Sequence, residues 1–396
     1  MGILTNHRTA TSTSVMYDHQ AFAMQQYGGV SRYFAELADG LQQEDGIQVC
    51  FPWHHTDNIY YHRIIRNNAS YTPPGWARTL IRRIRGYVHP HTKDEMRNRR
   101  AVIAELKEGA IDVFHPTYYD PYFLEHLNGK PFVLTVYDMI HEKFPEYFAP
   151  TVRDALINQK KELIRSAARI IAISDQTKKD IVELHAVPEQ NITTVYLATS
   201  FAVVPDHNTV RDAATAPYML FVGTRDIYKN FTGMMTVMSG ILRTDRTMRL
   251  ICAGPAFSPS ERSLFASYGI ADQVIHMPAN TDDALRALYT RALFLIYPSL
   301  YEGFGLPILE AFACGCPVLT ANRSSIPEVG GDAVYYCDPT DHDSVREGVM
   351  RMLKDRELRT DLRRRGFERL KQFTWASTVH GTASVYHQAK TTGTMP

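Results

Sequence analysis

The chain has 396 residues, 44% of them apolar and 21% charged, with 43 Lys plus Arg against 42 Asp plus Glu. That length exceeds one ordinary hydrophobic core and fits two domains, and the composition excludes a disordered or fibrous chain. The balanced charge and the absence of an aromatic-basic RNA motif argue against a nucleic-acid partner.

Met1 to Ser14 is polar and lacks the apolar centre of a signal peptide, and Asn6 stands where a myristoylation signal needs Ser or Thr. Cys50, Cys252, Cys314, Cys316 and Cys337 are scattered and odd in number, and no apolar run spans a bilayer. These features predict a cytoplasmic protein. The first strand-like run is Val15–His19, and Tyr27-Gly-Gly-Val-Ser-Arg-Tyr33 follows it. Gly28 and Gly29 suit either a close approach to phosphate or the ordinary glycine turn of a doubly wound domain. Gln48–Pro52 reads as the next strand. The stretch Trp76 to Arg100 is locally basic, with Trp76, Leu80, Ile81, Ile84 and Tyr87 interleaved. Two readings fit it equally: a surface lying on anionic lipid, or a solvated helix face.

Val113–His115, Phe132–Tyr137, Arg169–Ile173 and Ile192–Leu197 complete the strands of the first half. Ser200 to Pro217 is polar without periodicity and reads as a linker, dividing the chain into domains 1–199 and 200–375. The second half repeats the alternation with Tyr218–Val222, Arg249–Ala253, Gln273–Met277, Leu293–Tyr297, Pro317–Thr320 and Ala333–Cys337. Near-continuous apolar strands separated by helices imply parallel sheets covered on both faces, an α/β chain of two Rossmann-like doubly wound domains. After the charged helix Asp355–Gln372, a helix over 376–390 carries Val379, Ala383 and Tyr386 at helical spacing beyond Trp375. It is expected to pack back on the first domain, with Thr391 to Pro396 frayed.

The most informative stretch is Pro298-Ser-Leu-Tyr-Glu-Gly-Phe-Gly-Leu-Pro-Ile-Leu-Glu310. It follows a buried strand and opens a helix near Pro307, a residue suited to the first helical turn. A glycine loop at a helix N-terminus attracts phosphate, and Glu310 near the first turn can accept from vicinal sugar hydroxyls. Phe221-Val-Gly-Thr-Arg-Asp-Ile-Tyr-Lys-Asn-Phe231 sets Arg225 and Lys229 beyond the turn at Gly223. Two fixed cations there can hold a diphosphate and stabilise it as a leaving group. Gly254 ends its strand in an Ala-Gly-Pro turn, and Met277 to Ala279 ends the next; taken singly these read as simple turn residues, and a nucleobase would lie there if the sheet follows the usual crevice rule. The missing GxGxxG fingerprint weakens a dinucleotide reading.

These motifs resemble the retaining GT-B glycosyltransferases of family four, the group 1 transferases. Gly-Thr-Arg225…Lys229-Asn, Ala-Gly254-Pro and Glu302-Gly-Phe-Gly-Leu-Pro-Ile-Leu-Glu310 carry the resemblance. Asp18-His-Gln20, Gly28-Gly-Val-Ser-Arg-Tyr33, Phe114-His-Pro116, Val136-Tyr-Asp-Met-Ile140 and Phe144-Pro-Glu-Tyr-Phe148 look most like the bacterial surface-polysaccharide branch, including O-antigen mannosyltransferases. The resemblance implies two domains facing each other across a cleft. It implies that Arg225 and Lys229 hold the donor diphosphate, that Glu310 binds the ribose, and that Glu302 lies by the transferred sugar. Gly223, Gly254 and the amides of Gly303, Phe304, Gly305 and Leu306 would contact the donor, with Gly28 and Gly29 closing from the other domain. Many relatives have a His-Asp pair where this chain has Tyr137-Asp138, so the catalytic set includes those two residues. His141 and His115 are alternative sources of the missing imidazole.

The expected reaction is sugar transfer from a nucleotide-sugar donor, GDP-mannose or a relative, to a lipid-linked oligosaccharide acceptor with retention. Peripheral contact with the inner face of the membrane would accompany it. No cofactor and no obligate metal are expected, since Asp341-His-Asp343 is better explained as a helix cap than as a metal site. Two other readings share the fold: a nucleotide-sugar epimerase, and a non-catalytic nucleotide- or glycan-binding protein.

Overall fold

The computed structural model describes residues 12–24, 26–67, 91–108, 111–203, 217–279 and 281–392. Residues 76–90 of the basic stretch and most of the interdomain linker lie outside them. In the first domain, β1 (Thr13–Tyr17) is flanked in parallel by β2 (Ile47–Cys50) and β3 (Val113–His115). A second parallel set follows, β4 (Val133–Val136), β5 (Arg169–Ala172) and β6 (Ile192–Thr194). A bridge between Phe114 and Phe132 joins the two sets. The crossovers carry α1 (Gln20–Met24), α2 (Gly29–Leu41), α3 (Ile59–Asn67), α4 (His91–Glu108), α5 (Ile140–Lys143), α6 (Pro150–Ser166) and α7 (Asp175–His185).

The second domain holds one six-stranded parallel sheet. Its strands are β7 (Tyr218–Val222), β8 (Arg249–Ala253), β9 (Val274–Met277), β10 (Leu295–Tyr297), β11 (Val318–Ala321) and β12 (Tyr335–Cys337). They run in the order β12-β11-β10-β7-β8-β9, so the winding reverses between β7 and β10. Its helices are α8 (Phe231–Thr244), α9 (Pro259–Ser267), α10 (Asp282–Arg291), α11 (Leu306–Ala313), α12 (Ile326–Gly330), α13 (His342–Lys354) and α14 (Arg356–Leu370). Every residue of β7 is buried, as a strand covered on both faces requires. On α8, Met234, Met235, Met238, Ile241 and Leu242 fall on one helical face and are buried. Each such side chain contributes roughly 1.5–3 kcal/mol by leaving water.

All twelve expected strands are present, with shifted ends. β1 stops at Tyr17 because Asp18 turns inward, accepting from the Thr117 amide at 2.8 Å and its hydroxyl at 2.7 Å. Gln273 leaves β9 because its side-chain amide donates to the carbonyls of Leu242, Asp245 and Met248. The last helix, α15 (Trp375–Thr392), starts at Trp375 and lies on the first domain. There the Tyr386 hydroxyl meets Tyr17 Oη and His115 Nδ1, each at 2.7 Å, and His115 Nε2 meets the Thr135 hydroxyl at 2.9 Å. His115 is fully buried and its pKa is pushed down to about 3 by burial. Both ring nitrogens are used inside the core, so His115 does not supply an imidazole to the cleft.

Candidate active site

The winding reverses between β7 and β10, and the carboxyl edge of the sheet at such a reversal is where ligands of doubly wound domains sit. The loop after β7 delivers Lys229 to it and the loop after β10 delivers Glu302. Lys229 Nζ donates to Glu302 Oε1 at 2.7 Å and Oε2 at 2.9 Å, and to the Tyr297 hydroxyl at 3.3 Å. Both side chains are mostly enclosed, 14% and 9% exposed. Two residues that are 73 apart in the chain thus form one buried pair.

Arg225 has a different partner from the one its motif suggested. Its guanidinium is paired with Glu261 in α9, donates to the Ala256 carbonyl at 2.9 Å, and lies over the Phe257 ring at 5.0 Å. Glu261 itself closes a capping box with Ser258. Burial pushes the Glu261 pKa up, but hydrogen bonds from Arg225 and Ser258 prevail and hold it below the usual range. Each cation of the expected diphosphate clamp therefore faces a carboxylate.

The loop Gly303–Leu306 is shaped by close approaches. Ser325 Oγ donates to the carbonyls of Glu302 and Phe304, and Ser324 Oγ to that of Glu302. Gly305 has a left-handed φ of 109° and hands the chain to α11, with Pro307 in its first turn. The Phe304 ring packs by Tyr196 and Phe373, at the crossing between domains. A Cβ on Gly254 would meet the Gly223 carbonyl oxygen at 2.5 Å, so those two strand ends need glycine to stay together. At Gly29 an added Cβ meets nothing within 4 Å, and Gly28 precedes α2 in extended backbone.

The first domain faces this edge through Tyr137 and Asp138. The Tyr137 hydroxyl donates to the Thr117 carbonyl at 3.2 Å and its amide donates to the Tyr119 hydroxyl at 3.0 Å. Its phenol is thus engaged within its own domain. Asp138 Oδ1 accepts from the Ile140 amide at 3.0 Å. Buried Lys160 fixes that corner by donating to the Asp138 carbonyl at 3.1 Å and to Glu142 at 3.0 Å. Burial, then the charges of Glu302, Asp226 and Asp138, raise the Tyr228 pKa. Asp138 approaches the glutamate loop directly, since a Cβ built on Gly303 would lie 3.0 Å from its Cβ. His141 stacks on Phe148 at 4.2 Å, and Phe148 reaches Tyr228 at 6.4 Å. Burial and Lys160 lower the His141 pKa. Its Nδ1 is buried without a hydrogen-bond partner among the described residues.

Several cross-domain contacts among the described residues are not visible in the sequence. Arg32 pairs with Glu310 at 2.5 Å and Asp282 at 3.1 Å. The Tyr301 hydroxyl donates to Asp180 at 2.7 Å. The Thr177 hydroxyl donates to the Gly303 carbonyl at 3.3 Å. Glu328 accepts from the amides of Asp175 and Gln176. The partners lie 121 to 278 residues apart, and no periodicity links them. Among the described residues no group of three or more His, Cys, Asp or Glu is arranged to hold a metal, and Asp341 caps α13 by accepting from the Asp343 amide at 2.9 Å. No helix among them is long and apolar enough to cross a membrane.

Two doubly wound parallel domains, joined twice and meeting over a lysine–glutamate pair at the switch of the second sheet, define a GT-B glycosyltransferase. The models for Glycosyltransferase Family 4 and for Glycosyl transferases group 1 match residues 27–199 and 206–369. The chain belongs to this family. The O-antigen chain mannosyltransferase B of Escherichia coli is 28% identical over 372 residues, covering 90% of this chain and 95% of the relative. The serotype-specific mannosyltransferase WbdA of Escherichia coli is 30% identical over 247 residues, covering 58% of this chain and 30% of that longer protein. Among solved structures, sucrose-phosphate synthase from Thermosynechococcus elongatus matches with a TM-score of 0.70 at 17% identity, over 95% of this chain and 98% of that one. WaaG, a glycosyltransferase involved in lipopolysaccharide biosynthesis, matches with a TM-score of 0.63 at 15% identity, over 94% and 99%.

Proposed function

We propose that this glycosyltransferase moves a mannosyl residue from GDP-mannose, with retention, onto a lipid-linked glycan of a bacterial surface polysaccharide. The observation that carries the transfer chemistry is the Lys229–Glu302 pair at the switch of the second sheet, with Asp138 of the first domain close to Gly303. The sugar and pathway rest on likeness along nearly the whole chain to an O-antigen chain mannosyltransferase. Glu310 takes the ribose hydroxyls. Lys229 and Arg225 turn toward the diphosphate when it arrives, because a doubly charged anion outweighs a single carboxylate at equal distance.

The acceptor oxygen then bonds to the anomeric carbon on the face from which the diphosphate leaves. The carbon–oxygen bond to phosphate breaks with its electron pair on the phosphate, and that oxygen takes the acceptor's proton. Positive charge on the sugar ring is stabilised by the departing phosphate and by carboxylate oxygens nearby. No divalent metal is required in this scheme. The enzyme works in the cytoplasm, peripheral to the inner face of the membrane where such acceptors are presented.

A binding panel of GDP, UDP and dTDP tests the donor. Sugar nucleotides of the tightest base are then incubated with lipid-linked acceptor, and the new linkage is read by NMR. An α-linked mannose on an elongated glycan is expected. An isomerised donor without elongation, or an inverted linkage, would overturn the reading.

A further inference from the structure

Arg32 lies in the first turn of α2, just beyond Gly28 and Gly29, and its side chain crosses to the second domain. Nη2 donates to Glu310 Oε1 at 2.5 Å and Nη1 to Asp282 Oδ1 at 3.1 Å. The Arg32 side chain is 11% exposed and that of Glu310 5%, while Asp282 keeps 34%. The Phe201 ring, just past the first domain, stands 5.7 Å from the guanidinium. Burial opposes a charge on Arg32, but Glu310 and Asp282 outweigh it and raise its pKa. Removing a guanidinium from water costs several kcal/mol unless carboxylates compensate, so this placement depends on both acids.

Glu310 is held equally firmly from behind. Its Oε2 accepts from the Tyr289 hydroxyl at 3.0 Å, and Tyr289 is fully buried. One carboxylate therefore takes one donor on each oxygen, from different domains. An ionised carboxylate offers about four acceptor directions. Two remain, the number that a vicinal diol fills. A ribose can bind without displacing Arg32, and the carboxylate it meets is already fixed in plane.

We propose that Arg32 is a positioning residue of the donor site: from the opposite domain it orients the Glu310 carboxylate to receive the ribose hydroxyls. This rests on the reading of Glu310 as the ribose ligand. Its consequence is that the ribose contact reaches full strength only when the domains are apposed. Nucleotide binding and domain apposition then favour each other, since each supplies a contact the other needs. A simple interdomain latch would behave in the opposite way, because freeing Glu310 would favour the nucleotide.

Calorimetry on the full chain separates these cases, using GDP and UDP with their 2′-deoxy and 3′-deoxy analogues. The wild type should prefer the ribonucleotide about tenfold, the size of a hydrogen bond to a charged group. Arg32→Gln should weaken ribonucleotide binding about tenfold, leave the deoxy analogues little changed, and so collapse the ratio. Arg32→Lys should restore part of it. Asp282→Asn keeps both Arg32 and Glu310 in the chain but loosens the hold on the guanidinium, and should lower the ratio severalfold, which keeps the test decisive if Arg32→Gln fails to fold. An unchanged ratio in the variants, or tighter ribonucleotide binding by Arg32→Gln, overturns the positioning role while the donor reading stands. A wild type that shows no ribose preference overturns the assignment of Glu310 itself, and the role of Arg32 falls with it.

Discussion

Gly303 of the second domain lies against the carbonyl of Tyr137 in the first, so closely that a Cβ built on it would sit 1.8 Å from that oxygen. Backbone cannot swing aside as a side chain can. Gly303→Ala should therefore force the two domains apart while leaving each sheet intact. Transfer should fall on the order of a hundredfold, because misplacing reacting groups by about 1 Å costs that much. Small-angle scattering should give a larger radius of gyration for the variant. Wild-type rates and an unchanged profile would show that this contact is not part of the working state.

The Lys229–Glu302 pair leads to a second prediction. Glu302→Gln preserves size and removes the charge, and Lys229→Ala strands a carboxylate that is 9% exposed. Each should lower kcat about 10²–10³-fold, the range for losing one preorganised charged group. The double variant should lose far less than the product of the two, since the groups act as a unit. Steady-state rates at saturating donor read this directly. Near-normal kcat in both single variants would move the chemistry elsewhere.

The strands were legible because each is an apolar run of the length a covered parallel strand needs, and the glycine loop because its spacing is local. β7 and β10 could be found this way, and so could the residues after them. Partners were harder. Arg225 and Lys229 look alike in their loop, yet Lys229 faces Glu302 and Arg225 faces Glu261, a choice set by where α9 packs. Tyr137 stands in the position of a catalytic residue, but its hydroxyl direction depends on Thr117, 20 residues away beyond another strand. Arg32 was visible only as one letter of a motif. Its ligands, Asp282 and Glu310, are brought to it by the apposition of whole domains.

His115 makes stability depend on pH. Its imidazole titrates at about 3 in the folded chain against 6.5 unfolded. Protons therefore bind the unfolded chain preferentially between those values. The stability is fully present above pH 6.5 and is lost progressively as pH falls toward 3. His19, His54 and His185 are lowered by burial in the same sense. Thermal unfolding should give a lower Tm at about pH 5.5 than at about pH 7.5, and His115→Gln should shrink the difference. An equal or higher Tm at the lower pH would contradict the burial of neutral imidazole.

Chelation should leave transfer unchanged. The sequence letters closest to a metal-binding motif are Asp341-His-Asp343, and Asp341 spends its carboxylate on the Asp343 amide at the start of α13. In the proposed reaction the charges offered to the diphosphate are those of Lys229 and Arg225. Rates in EDTA should match those in Mg²⁺ or Mn²⁺ within about twofold, well under the effect of losing a charge-stabilising group. A rate that vanishes in EDTA and returns with one cation would require a metal in the donor complex.

Glu328 sits in α12 but serves a helix of the other domain. Its carboxylate accepts from the amides of Asp175 and Gln176, at 2.8 and 2.7 Å, at the start of α7. The Ser174 side chain accepts from the Thr177 amide there, so the first two amides depend on the second domain. Arg369 in turn holds the Glu328 carbonyl at 2.5 Å, which fixes the acid's backbone. Glu328→Ala should cost about 1 kcal/mol, the usual value of a lost cap, and lower Tm by about 2–4 °C. Glu328→Gln, which keeps one acceptor oxygen, should recover part of that. Because the lost bonds cross the domain boundary, the Ala variant should also expand slightly in scattering while the Gln variant does not. An unchanged Tm in the Ala variant would mean that water replaces the carboxylate at no cost, and that this contact does not hold the domains together.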